Sequence, residues 1–468
     1  MIRFGTSGWR GVIGEDFTFE HVRLASQGIV NYLKRAEPDR RGVVIGYDTR
    51  FLSEKFAAEA ARIVAFNGME AFLCNRDTPT PTIAFETIRR NAAGAINFTA
   101  SHNPPEYNGL KFSTETGAPA PPAVTEAIER EIHALEEKKE RFDVYERTEL
   151  IRDIDPKERY LAELREKIDV DVIRRSGLRV AVDCLYGTSR EYLDYFLLET
   201  GIAVKSIHNY RDPYFGGFSP ECNQKNLAEL RKTVSTEGFA LGVATDGDAD
   251  RFGIIDRNDR FVPANLVIAL LALYLKRDRR LEGGIARSVA TTHLVDAIAR
   301  KLDVPIYETP VGFKYIAELI LEDKIAIGGE ESAGLSIRDH LPEKDGILAC
   351  LLVVEMVART GKTVDELIAE MYAEFGCYYS KRVDIKLTPH LRESLEAKLR
   401  RPPKEIDGLR IERVKKIDGV KIEFDPQRWI LFRLSGTEPV ARLYAEAGTP
   451  KDLKHMVDLG RRFVLPAA

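Results

Sequence analysis

The chain predicts an α/β fold: three similar mixed-sheet αβα domains followed by a smaller C-terminal α+β domain. Three observations carry this. Apolar runs of strand length at 43–48, 180–183 and 285–290 each enter a polar turn and then a segment of helical spacing, the signature of repeated βα units. From about Tyr379 the pattern changes to strand, helix, three strands, a further strand and a terminal helix. At 468 residues, the chain is also too long for one ordinary core.

The expected domains are 1–150, 151–260, 261–375 and 376–468. In the first, a buried strand at 42–48 precedes a helix over 53–67. Ser53 reads as its cap and Gly68 as its stop. A short strand follows at 71–73, an apolar run at 92–98, and a charged helix at 124–139. The second domain opens with a strand at 178–183 and reaches another at 240–244. The third holds strands at 286–290 and 324–328 and a helix at 346–357. The last has strands at 411–416, 420–424, 429–434 and 441–445, then a helix from near Pro450.

Composition sets the class. With 44% hydrophobic and 30% charged residues, the chain reads as a globular protein. A net charge of −4 gives no basic field, so nucleic acid is not implied. The longest apolar run, 266–275, is half the roughly twenty residues of a membrane span and reads as a buried helix. The first five residues lack a signal-peptide core, and the five cysteines are scattered with no CxxC pair, which together read as a cytoplasmic protein with reduced thiols. Oligomeric state is not legible.

Five loops carry chemistry. Thr99-Ala100-Ser101-His102-Asn103-Pro104 follows an apolar strand and offers one hydroxyl at a sheet edge; Ser101 lacks the G-x-S-x-G setting of a hydrolase nucleophile. Asp246-Gly247-Asp248-Ala249-Asp250-Arg251 sets three carboxylates at alternating positions between two apolar strands. Like charges so confined call for a cation, and hard oxygen ligands suit Mg²⁺ or Ca²⁺. An EF-hand would place Gly and Glu where Arg251 and Arg257 stand, which disfavours a calcium loop. Gly328-Gly329-Glu330-Glu331-Ser332-Ala333-Gly334 offers acceptors suited to sugar hydroxyls, a solvated glycine-rich turn being the plain alternative. Arg433-Leu434-Ser435-Gly436-Thr437-Glu438-Pro439 has the parts of a phosphate cradle, or of a simple β-turn. Gly5-Thr6-Ser7-Gly8-Trp9-Arg10-Gly11 allows close approach to an anion through Arg10.

In this order, TASHNP, DGDADR, GEESAG and R-x-SGTEP make the chain resemble the α-D-phosphohexomutase superfamily from Gly5 to Pro439. The resemblance implies four domains around a central cleft. It implies a phosphoserine at Ser101, and Mg²⁺ held by Ser101, Asp246, Asp248 and Asp250. Arg10, His102, Lys111 and Arg251 are similar to family residues near the transferring group. Glu330 and Ser332 would meet sugar hydroxyls, with Lys314 turned towards substrate. Arg433, Ser435, Gly436 and Thr437 would hold the phosphate that is not reacting. The implied reaction interconverts hexose 1-phosphate and hexose 6-phosphate, with a hexose 1,6-bisphosphate (glucose 1,6-bisphosphate) as activator. A small-molecule sugar phosphate is the expected partner. The double glutamate of GEES is similar to glucose-type members; phosphomannomutase or dual specificity stands next, then phosphoglucosamine mutase or a sugar phosphatase. One departure concerns proton transfer: Leu335 follows Gly334 where many phosphomannomutase-type members have His, and His340 is the nearest histidine.

Overall fold

The computed structural model describes residues 2–5, 8–37, 42–138, 147–435 and 439–465. They form two compact units, one comprising Met1–Val267, Gly312–Lys324 and Ser332–Val364, the other Ile268–Val311, Ile325–Glu331 and Asp365–Ala468.

The first unit holds two mixed sheets. One has six strands in the order Trp9–Val12, Tyr107–Thr114, Gly94–Phe98, Gly42–Tyr47, Glu70–Cys74, Ile151–Ile154. Its last four strands run parallel, and its first two are added antiparallel. The central strands Gly42–Tyr47 and Gly94–Phe98 are buried along their length apart from half-exposed Tyr47, as expected for strands covered on both faces. Trp9, Phe17, Phe56 and Phe98 pack ring against ring in this core, with Trp9 and Phe17 stacked at 4.4 Å. The other sheet has five strands, ordered Arg260–Val262, Phe252–Asp256, Leu241–Thr245, Arg179–Asp183, Ala203–Ile207. Its strands Leu241–Thr245 and Phe252–Asp256 form a buried antiparallel pair. The buried helix Gly346–Thr360 starts at Asp345, whose carboxylate accepts from Leu348 N.

In the second unit, Ile306–Thr309, Gly284–Ser288 and Ile325–Glu330 pair parallel. Five antiparallel strands, ordered Tyr379–Lys386, Val440–Ala447, Trp429–Leu434, Val420–Glu423, Arg413–Lys415, are packed by Pro389–Arg400 and Pro450–Val464. This is the smaller α+β section the sequence predicts. A two-stranded ribbon, Glu405–Ile406 with Leu409–Arg410, was not expected.

The apolar run at 266–275 lies in the helix Ala264–Arg277, and no described helix is long and apolar enough to cross a membrane. All five cysteines are free. The expected Ser53 cap is incorrect. The helix Ser53–Phe66 is preceded by Leu52 in the left-handed region (φ 63°) with no side-chain cap. Ser53 is the first helical residue, and its hydroxyl donates to Asp48 instead.

Candidate active site

The first unit gathers its polar groups where buried strands end. Gly42–Tyr47 runs into Asp48-Thr49-Arg50, Gly94–Phe98 into the Ser101 loop, and Leu241–Thr245 into the triple-aspartate loop. Carboxyl ends of strands in open α/β sheets are where such proteins place ligands.

Ser101 is 1% exposed and sits in the left-handed region (φ 53°), a conformation costing a non-glycine residue about 1–2 kcal/mol. Local bonds hold it there. Thr99 N bonds Gly109 O at 3.0 Å, and Thr99 Oγ1 accepts Ser101 N at 2.8 Å. So held, Ser101 Oγ donates to Asp246 Oδ2 at 3.0 Å and lies 3.3 Å from His102 Nδ1.

Asp246, Asp248 and Asp250 are all buried, and their carboxylate oxygens come within 4.8 Å of one another. The turn between the two strands achieves this with Ala249 at φ 59°. Lys111, on Tyr107–Thr114, donates to Asp248 Oδ2 at 2.6 Å and Asp250 Oδ2 at 3.0 Å. Lys344 Nζ lies 3.1 Å from Asp250 Oδ2 and also binds Glu343. Arg251 N donates to Asp246 Oδ1 at 3.0 Å. Thr80 opens the helix Thr80–Arg89 and clamps the loop twice, through Thr80 N to Asp248 O at 2.9 Å and Oγ1 to Asp248 Oδ2 at 2.6 Å. Gly346 N donates to Ala249 O at 3.0 Å, bringing the start of Gly346–Thr360 onto the same turn. A Cβ at Gly346 would meet Arg251 O at 2.4 Å, so the close approach requires glycine.

Electrostatics follow from this crowding. Burial, then the Asp250 and Asp248 charges, push the Asp246 carboxyl well above the carboxylate range. Burial acts on Asp250 too, but the Lys111, Lys344 and Arg251 cations outweigh it and hold that carboxyl low. His102 is driven well below its ordinary value by Arg251, burial and Arg10, so its ring is neutral. Burial works against the Lys111 ammonium, but Asp248 and Asp250 raise its pKa. Arg10 reaches Asn103 Oδ1 of the serine loop at 2.5 Å; burial and neighbouring Arg251 lower its pKa.

The residues fit a small divalent cation. Asp248 Oδ1 and Asp250 Oδ1 are buried and accept no hydrogen bond among the described residues, and the donor set is hard oxygen throughout.

The expected residues thus divide. Ser101, His102, Lys111, Asp246, Asp248, Asp250 and Arg251 form one cluster, with Arg10 joined through Asn103. In the same unit, Ser332 is half-buried beside Ala333, whose carbonyl accepts Phe252 N from the strand leaving the aspartate loop; Lys314 is second in the helix Phe313–Leu321, its ammonium 5.4 Å from the Tyr315 ring. In the second unit, Glu330 ends Ile325–Glu330, 4% exposed. Its neighbour Glu331 accepts from Ser288 Oγ at 3.0 Å. Arg433 is paired with Asp418 (2.8 Å), and Ser435 O accepts from Arg392. Gly436 and Thr437 lie outside the described residues, as do Thr6 and Ser7. His340 is buried against Asp345 (Nε2 to Oδ2, 2.7 Å), which also accepts from Tyr160 OH at 2.6 Å. It therefore braces the start of Gly346–Thr360. Sequence reasoning missed Asp48, Arg50, Thr80, Glu343 and Lys344; only Asp48-Thr49-Arg50, polar residues directly after a buried strand, left a local signal.

Phosphoglucomutase/phosphomannomutase family models match almost end to end: α/β/α domain I over 1–139, domain II over 158–259, domain III over 263–375 and the C-terminal domain over 396–459. The chain belongs to the phosphoglucomutase/phosphomannomutase family. It is thereby a member of the α-D-phosphohexomutase superfamily, and a phosphohexomutase is an isomerase. A phosphoglucomutase/phosphomannomutase of Thermococcus kodakarensis is 33% identical, over 98% of this chain and 97% of that one. A Pyrococcus abyssi protein assigned as a phosphoglucosamine mutase is 32% identical over 99% and 98%. A crystal structure from Thermus thermophilus, of a protein assigned as a phosphomannomutase, is 34% identical, covers 99% of both chains and superposes with a TM-score of 0.86. As a phosphohexomutase, the chain has the fold class its sequence predicts: three α/β/α domains and a C-terminal domain.

Proposed function

We propose that this phosphohexomutase interconverts glucose 1-phosphate and glucose 6-phosphate through a phosphorylated Ser101. The observation that carries the reading is the contact of Ser101 Oγ with Asp246 Oδ2 at 3.0 Å, in a buried loop with two more aspartates. Ser101, Asp246, Asp248 and Asp250 would hold Mg²⁺. Bound there, a divalent cation neutralises phosphoryl oxygens and stabilises the charge that spreads in the transition state.

In the cycle, the P–Oγ bond of phospho-Ser101 breaks as a P–O bond forms to the sugar's free 6-hydroxyl. The hydroxyl proton passes to a neighbouring base. The product is glucose 1,6-bisphosphate. Its 1-phosphoryl group then returns to Ser101 Oγ, the P–O1 bond breaks, O1 takes back a proton, and glucose 6-phosphate leaves. Lys111, Arg251 and Arg10 supply cations beside the anionic groups, and burial of Ser101 keeps water from hydrolysing the stored phosphoryl group. Glu330 and Ser332 are assigned to sugar hydroxyls, Lys314 to substrate, and Arg433, Ser435, Gly436 and Thr437 to the second phosphate.

The experiment is Ser101→Ala assayed with glucose 1-phosphate and a trace of glucose 1,6-bisphosphate. Turnover is expected to vanish while the fold is retained; a rate near the parent's rejects the assignment. Because relatives of nearly equal identity are assigned to mannose and glucosamine phosphates, rates on the three sugars are compared side by side. The double glutamate Glu330-Glu331 favours glucose; a higher kcat/KM on mannose 1-phosphate or glucosamine 1-phosphate moves the assignment to that sugar.

A further inference from the structure

Arg50 is fully buried, and no part of the proposed cycle uses it. Its guanidinium is anchored by Asp48, with Nε donating to Asp48 Oδ2 at 3.1 Å. The remaining nitrogens collect four main-chain oxygens of one loop. One nitrogen donates to Pro104 O at 2.7 Å and Tyr107 O at 3.0 Å, the other to Ser101 O and Asn103 O, each at 2.6 Å. Asp48 is itself fixed by Ser53 Oγ at 2.9 Å, and Ser53 accepts from Asn108 Nδ2 at 2.8 Å. On the far side, the Phe215 ring lies 5.0 Å from the guanidinium carbon.

A core arginine spending its donors on four carbonyls of a single loop is costly to bury, and apolar packing would fill the space at lower cost. What it supplies is shape. These four oxygens belong to the segment that carries Ser101 in its left-handed conformation (φ 53°) and turns its hydroxyl to Asp246. We infer that Arg50, held by Asp48, is a positioning residue for phosphoryl transfer, setting the main chain of the serine loop so that Oγ stays in line with the transferring group. The inference rests on Ser101 being the phosphoryl carrier.

Arg50→Lys keeps the charge but replaces a planar five-donor fork with one ammonium that cannot reach four carbonyls. Three readouts separate positioning from mere folding: the amount of Ser101 that labelled glucose 1,6-bisphosphate phosphorylates, kcat per phosphorylated site, and the rate at which the phosphoserine leaks to water. A misplacement of about 1 Å costs about 100-fold. The expected result is a fall of that order in kcat per phosphorylated site, KM within about threefold, and leakage to water unchanged or faster. A purely structural Arg50 would lower the number of phosphorylatable sites and leave kcat per site at the parent value; that result overturns the inference. Should Arg50→Lys not fold, Ser53→Ala loosens the same chain at its outer end. A drop of about threefold or more per site is expected there, and a parent rate refutes it. Ser101→Ala runs alongside: activity in that variant removes the phosphoserine reading itself, whereas a dead Ser101→Ala with an unimpaired Arg50→Lys removes only the role of Arg50.

Discussion

Replacing Lys111 with Met tests the electrostatics of the aspartate loop. The ammonium touches Asp248 at 2.6 Å and Asp250 at 3.0 Å, all three groups being nearly or wholly buried. At an effective dielectric of about 20, each pair at such a separation is worth roughly 6 kcal/mol before desolvation. Burying the ammonium offsets much of this, and deleting one partner of a buried pair costs about 3–5 kcal/mol because a charge is left uncompensated. At about 2–4 °C per kcal/mol, the first unit of Lys111→Met should melt about 6–20 °C below the parent in EDTA. Mg²⁺ at a hundredfold excess over its dissociation constant returns about 2.7 kcal/mol. It should rescue Lys111→Met by more degrees than it stabilises the parent, since it then faces less competing positive charge. Differential scanning fluorimetry in EDTA and in Mg²⁺ reads both. A Lys111→Met midpoint within about 2 °C of the parent in EDTA, or one that Mg²⁺ leaves unmoved, refutes the reasoning.

Three further outcomes are expected. Gly346→Ala drives a methyl into Arg251 O and should cost about 1–3 kcal/mol while displacing the aspartate turn; urea unfolding and mutase rate should both fall, and an unchanged rate frees the turn from this contact. In the second unit, burial works against the Glu308 carboxylate, but Arg287, Lys421 and Lys415 hold its pKa at about 2. With the folded pKa below the unfolded one, its stabilisation is complete above about pH 4.5 and lost as pH falls towards 2; Glu308→Gln should flatten the stability curve in that window, and a parallel curve contradicts the assignment. Arg433→Ala should raise KM for the monophosphate more than it lowers kcat, in steady-state kinetics; an unchanged KM removes Arg433 from phosphate binding.

The elements that were legible were those whose sequence carries its own periodicity or punctuation. Trp429–Leu434 and the start of the Pro450 helix fall where expected, and the strand entering Asp246–Arg251, expected at 240–244, runs over Leu241–Thr245. The serine and aspartate loops were legible because small polar residues there interrupt buried strands. What stayed hidden depends on contacts between distant segments. Ser53 has the chemistry of a cap, but a buried aspartate five residues back competes for its hydroxyl. Thr80 and Lys344 carry no local mark; only folding brings one onto Asp248 and the other onto Asp250. His340 follows the GEESAG motif, yet the core takes it to Asp345.

Thr80 is joined by Asn97 Nδ2 at 2.9 Å, from the strand that feeds the serine loop, as well as by Asp248. The strand leading to the serine loop and the acid turn thereby share one clasp, a hydroxyl that accepts from the first and donates to the second. On the proposed cycle, a site clasped in this way leaves the turning to the ligand: a bisphosphate would have to tumble end over end to present its other phosphate.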